Sequence, residues 1–146
     1  MHLVYDLLQG DKGNVKSDIV YNKHKNTKLM MNTYYPINFD GKLLYPCVIF
    51  INGGCGPSVR LPKNYIKHLD SWCGLLANHY FIAAYFYWRY EFSTDIQDAI
   101  NFICKNSKRL NVDANRLGAF TFSRGVSIGI KQLLQLDRKT FNPDYS

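Results

Sequence analysis

Two short segments of this 146-residue chain hold residue types that suit acyl chemistry. The first is Ser123-Arg124-Gly125. It follows the apolar run Asn115 to Phe122 without a spacer and opens a helix-like stretch holding Val126, Ile130, Leu133 and Leu134. A serine on a sharp strand-to-helix turn presents its hydroxyl as a nucleophile clear of the backbone. Such a turn needs small neighbours, because strand and helix pass close together, and Gly125 meets that need. The second segment is Asn52-Gly53-Gly54-Cys55-Gly56-Pro57. Glycines let backbone N–H groups come close to a ligand and point at developing negative charge, which suits an oxyanion hole. A plain Gly/Pro loop leading to a helix has the same composition, so both readings stand. The spacing of a phosphate loop, G-x-x-x-x-G-K-[ST] or G-x-G-x-x-G, is absent.

A serine hydroxyl is a weak nucleophile until a base takes its proton. His2, His24, His68 and His79 all precede Ser123, and no histidine follows it. Two further residues sit near candidate strand ends. Arg89 reads either as facing a substrate cleft or as a solvated loop arginine. Cys55 has no base candidate nearby in sequence and reads as a loop cysteine.

The elements that must hold these residues are legible in outline. Lys16–Tyr21 and Lys28–Tyr35 read as strands, the second stopped by Pro36, with Asn22–Asn26 as their hairpin connection. Cys47–Ile51 is a continuous apolar run of β-type residues, as expected of a strand covered on both faces. Tyr65–Asn78 has helical spacing in Ile66, Leu69, Trp72, Cys73, Leu76 and Ala77. Tyr80–Trp88 reads as a fourth strand, its aromatics belonging to the core and not to a base-stacking platform.

Thr94-Asp95-Ile96-Gln97 fits a capping box and opens the next helix. That helix buries Ile96, Ala99, Ile100 and Ile103, and it carries Lys105, Lys108 and Arg109 at its negative end. The order β-β-β-α-β-α-β-α argues for an α/β fold, a mostly parallel sheet flanked by helices, in one domain over residues 1–146.

Composition narrows the function classes. With 47% hydrophobic residues the chain can bury a core, and nothing in it suggests disorder. The formal charge of +7 comes from scattered lysines, not one stripe, and accompanies Asn, Ile and Tyr, which AT-rich codons also favour. Nucleic acid is therefore not an expected partner. The widely spaced cysteines include no C-x-x-C pair, so no metal or other cofactor is expected, and Cys47 and Cys104 read as core fillers. Residues 1–14 lack a basic segment and an apolar run, and Tyr80–Trp88 is far too short to span a bilayer. A soluble, cytoplasmic protein with no membrane partner is the expectation.

Taken together, three features resemble an α/β-hydrolase of the esterase/dienelactone-hydrolase-like type. They are Asn52-Gly53-Gly54, the Asp95-Ile96-x-x-Ala99-Ile100 helix, and Asn111-Val112-Asp113-x-x-Arg116-Leu117-Gly118 running into Thr121-x-Ser123-x-Gly125. The resemblance runs from about Asp18 to Leu136. It implies strand order 1-2-4-3-5 and the nucleophile elbow at Ser123. It also implies oxyanion donors from the backbone N–H groups of Arg124 and of Gly53 or Gly54, each worth about 3 kcal/mol in the transition state.

Thr121 stands where the elbow usually has Gly, Asn52 replaces the common His, and Val126 replaces a frequent second Gly. The family's acid and histidine follow the serine on later strands. Here only Asp137 and Asp144 follow it, the first on or just past the elbow helix and the second in a short tail. The resemblance thus implies the N-terminal, truncated part of a serine hydrolase for carboxylic-ester or related acyl substrates, without a complete triad and with little activity of its own. Asn52 and Arg89 are the candidate substrate-binding residues. The alternative is an inactive α/β-hydrolase-like protein that binds a small molecule or a partner. The last strand, Leu117 to Phe122, is then left at an apolar, open sheet edge, where self-association is expected.

Overall fold

The computed structural model describes residues 14–53, 61–89 and 94–131. Five strands form one mixed sheet: β1 (Asn14–His24), β2 (Thr27–Tyr35), β3 (Tyr45–Ile51), β4 (Ile82–Phe86) and β5 (Val112–Thr121). Their spatial order is β1-β2-β4-β3-β5. β2 runs antiparallel to β1 and to β4, while β3 is parallel to both β4 and β5. This is an α/β fold in the strand order that the sequence resemblance implies.

The helices are α1 (Lys63–Asn78), α2 (Thr94–Lys105) and the one-turn α3 (Ser107–Leu110), with α4 described over residues 125–131. They split between the faces of the sheet. Against one face, Ile96, Ala99, Ile100 and Ile103 of α2 meet Met31, Cys47, Ile49, Ile51 and Phe86, and Ile128 of α4 joins them. Against the other, Leu69, Cys73 and Ala77 of α1 meet Tyr34, Phe50, Ala83 and Tyr85. The unbroken apolar runs of β3 and β4 follow from this, because both of their faces are covered.

Several boundaries differ from the sequence reading. The hairpin turn is only Lys25-Asn26, and β1 extends to His24. Asn22, Lys23 and His24 are polar because they lie on an edge strand, not because they form a loop. Lys25 enters the turn with φ 51°. The helix expected to run on to Arg109 breaks at Asn106 into α2 and α3, and Asn111 ends α3 in the left-handed region at φ 57°. β4 is shorter than Tyr80–Trp88, although Trp88 is fully buried beyond its end.

β5 begins at Val112, ahead of the expected Asn115. Its register with β3 slips between Val112 and Leu117. There Asp113 accepts from the Asn115 N–H at 3.0 Å and from Arg116 Nε at 2.6 Å. Arg116 holds the Asp113 carboxyl below its ordinary range.

Candidate active site

The helices that follow β3 and β5 lie on opposite faces: α1 on one, α4 on the other. Adjacent strands whose chains leave in opposite directions open a crevice at their carboxyl ends, the usual ligand site of an open α/β sheet. Gly53 lies two residues beyond β3, and Ser123 two beyond β5. The two glycine- and serine-bearing segments picked out in the sequence are therefore brought together at this crevice.

Ser123 is exposed and has φ 56°, a left-handed conformation that an L side chain adopts only under strain. The turn is fastened on both sides. Phe122 N–H donates to Ile51 O at 3.3 Å, Gly125 N–H to Phe122 O at 3.1 Å, and Val126 N–H to Ser123 O at 3.1 Å. A side-chain carbon on Gly53 would sit 3.3 Å from Ser123 Oγ and 3.8 Å from the Arg124 backbone nitrogen. The bare Gly53 backbone thus faces both the hydroxyl and the following peptide. Gly54, the other candidate donor, lies outside the described residues, as do Cys55, His2, Leu133, Leu134, Asp137 and Asp144.

Two glycines let α4 sit down on β3. A Cβ on Gly125 would fall 2.5 Å from Asn52 O and inside contact distance of Ile51 O, both of them backbone atoms that cannot turn aside. A Cβ on Gly129 would meet Thr121 Cγ2 at 2.8 Å. Gly125 carries this role in the sequence reading. Gly129 was not assigned it, although its spacing of four from Gly125 puts both on one helix face.

Asn52 is wholly buried. Its Nδ2 donates to Phe86 O at 3.1 Å and so ties the end of β3 to the end of β4, beneath the crevice. Arg89 is held by Asp95. Nε donates to Oδ2 at 2.9 Å, Nη2 to Oδ1 at 2.7 Å, and the Arg89 backbone N–H to Oδ2 at 3.0 Å. Asp95 is 1% exposed, and its bonding raises the Arg89 pKa above the ordinary arginine value. In the sequence Asp95 stands in the capping-box pattern that opens α2 and in the helix of the family resemblance, with no partner marked for it. No short motif marks a pair six residues apart, and the signal available was a carboxylate beside the buried face of an amphipathic helix.

Two of the described histidines are set away from Ser123. His79 follows α1 and precedes β4, at the opposite end of the parallel strands, whereas His68 lies in α1 three residues beyond Tyr65, whose ring packs on Phe122 with centroids 5.7 Å apart. His24 ends β1, which runs in the direction of β4 and so finishes at the same end as the crevice. However, β1 is four strand spacings from β5, about 19 Å across the sheet. The buried thiols offer no nucleophile at neutral pH: burial pushes Cys47 up to about 12 and Cys73 well above its ordinary value. Among the described residues no three His, Cys, Asp or Glu side chains form a metal-holding group. Among them, too, no helix is long and apolar enough to cross a membrane.

No family model matches this chain, and no curated relative does. Solved structures do match. The chain is similar to Thermogutta terrifontis esterase 2 phosphorylated by paraoxon, with TM-score 0.66 and 17% identity over 81% of this chain and 46% of that one. It is also similar to the native form of that esterase, with TM-score 0.64 and 20% identity over 80% of this chain and 42% of that one. At these identities the likeness establishes the fold alone, that of an α/β-hydrolase sheet. The chain spans less than half the length of the esterase it matches.

Proposed function

We propose that this chain carries the nucleophile half of a serine hydrolase acting on carboxylic esters or related acyl groups. Ser123 is the nucleophile. The backbone N–H groups of Arg124 and of Gly53 or Gly54 stabilise the oxyanion, and the acid and base come from residues outside those described. The observation that carries this reading is the left-handed φ of Ser123 beside Gly53. A strained turn whose exposed hydroxyl faces a side-chain-free backbone suits attack on a carbonyl and has no other evident use. The esterase named among the structural neighbours is phosphorylated by paraoxon, an electrophile of the kind that an activated serine captures.

No histidine follows Ser123 in the sequence, and the 146-residue chain should hydrolyse an activated aryl acetate no faster than an enzyme stripped of its triad. Such enzymes keep about 10³–10⁴-fold over water. The test uses a fluorophosphonate probe with and without imidazole as an external base, read by mass spectrometry of the peptide holding Ser123. Imidazole-accelerated modification of Ser123, absent in Ser123→Ala, is the expected result. No adduct at Ser123 even with imidazole would sink the assignment. Rapid multiple turnover without imidazole would instead mean that a base among the present residues reaches the serine.

A further inference from the structure

We infer that Asn52 is a positioning residue of the oxyanion site: its buried side-chain amide, bonded to the end of β4, sets the direction in which the Gly53 N–H points. This rests on the reading of Ser123 as the nucleophile and deepens it. A side chain with 0% exposure cannot touch a substrate in the crevice, so the Asn52 amide must act elsewhere.

The Gly53 N–H belongs to the peptide unit that begins at the Asn52 carbonyl. Such a unit is planar and trans, so its N–H points opposite to its C=O, and whatever holds one end aims the other. The unit is held from three directions. On the α4 side, a Cβ on Gly125 would lie 2.5 Å from Asn52 O and 3.1 Å from Asn52 C, so the carbonyl packs against the start of that helix. On the β5 side, Ile51 O, one peptide earlier, accepts from the Phe122 N–H at 3.3 Å.

The β4 side depends on Asn52 itself. The last register pair between β3 and β4 is Phe50 with Tyr85, one residue short of Phe86. Asn52 Nδ2 donates to Phe86 O at 3.1 Å and carries the junction one step further with a side chain. A neutral amide suits this place, because it satisfies a buried carbonyl without taking a charge out of water. Arg89 and Asp95 serve a different end, closing the segment after β4 onto α2.

A backbone donor stabilises a developing oxyanion fully only when it is already aimed, and a peptide free to rock loses part of that effect to reordering. Removing such a donor outright slows acyl transfer by about 10²–10³-fold, so a donor left in place but loosened should cost about tenfold.

The test compares the full 146-residue parent with Asn52→Leu, which has no donor. Ser123 is modified by the fluorophosphonate probe with imidazole present, and the finished adduct is examined by ³¹P NMR. In the variant, modification should slow by about tenfold, and the adduct resonance should move toward that of the urea-unfolded adduct. A residue that only supports the fold would lower the melting temperature and leave the resonance of the folded adduct unmoved. Asn52→Leu must show parent-like circular dichroism to count, and the smaller Asn52→Ala carries the test otherwise. A parent-like rate or a parent-like resonance in the folded variant overturns the role, as does failure of both variants to fold. A parent chain that is never modified at Ser123 removes the nucleophile reading and this one together, whereas a modified parent matched by its variants removes this one alone.

Discussion

The two flanks of the sheet are built by different means. On the β1 side, polar side chains do the fastening. Tyr21 Oη donates to Tyr87 O at 2.6 Å, Asn22 Nδ2 to Asp98 at 2.7 Å, and the Asp18 N–H to Asn32 Oδ1 at 2.9 Å. The strand is interrupted twice, between Lys16 and Ile19 and between Val20 and Asn22, with Asp18 at φ 57°. Exposed lysines and breaks of register are the devices by which natural sheets blunt an edge.

On the β5 side the fastening is close backbone approach at Gly53, Gly125 and Gly129, together with the rings of Phe120, Phe122, Tyr65 and Trp72. From Leu117 to Thr121 the pairing runs without a break. One flank is finished as a margin and the other is made like an interior. The sheet is finished along β1 and suited to continue past β5.

Substitutions can break that contrast. The largest effect should come from Gly125→Ala, which forces α4 off the β3 backbone, costing about 3 kcal/mol or more. Urea denaturation would measure it, and a loss within error of zero would mean that the helix rides loosely and that the glycine flank is not close-packed. Next is Asp95→Ala, on the polar side. It removes the carboxylate that takes two hydrogen bonds from the Arg89 guanidinium, and the expected cost is about 3 kcal/mol, the low end for a broken buried pair because Arg89 keeps some access to water. Asp95→Asn, which keeps an acceptor, should lose less; equal losses in the two variants would point to packing alone. Smallest is Lys25→Gly in the hairpin turn. It relieves a left-handed φ at a solvated position and should raise stability by about 0.5–1 kcal/mol in thermal melting. A decrease would show that the Lys25 side chain holds the margin in a way its backbone does not reveal.

The parts of this molecule most legible in the sequence are those governed by periodicity. α1 and α2 repeat at helical spacing and β3 is an unbroken apolar run, as their burial demands, and their order prescribes two covered faces. The solvated margin was less legible, because Asn22, Lys23 and His24 have the composition of a loop whether or not they pair with β2. The break at Asn106 was also hidden, since the residues on either side of it favour helix.

The candidate site divides in the same way. The turn at Ser123 and the approach of Gly53 follow local chemistry: a serine between strand and helix, and glycines after a strand. The clamp between Arg89 and Asp95 joins the segment after β4 to the start of α2, and no residue type announces such a partner. Asn52, proposed from sequence as a binding residue, is buried beneath the crevice for a similar reason: position along the chain does not tell depth.

The backbone of Ser123 has an evolutionary consequence. A serine held at φ 56° costs stability at every moment the protein is folded, and replacement by glycine at that position removes the cost. Mutational drift in a lineage that had ceased to use the hydroxyl therefore runs downhill toward glycine. Under the function proposed above, position 123 acts as a slow record of selection: serine persists on that turn for as long as its hydroxyl is used.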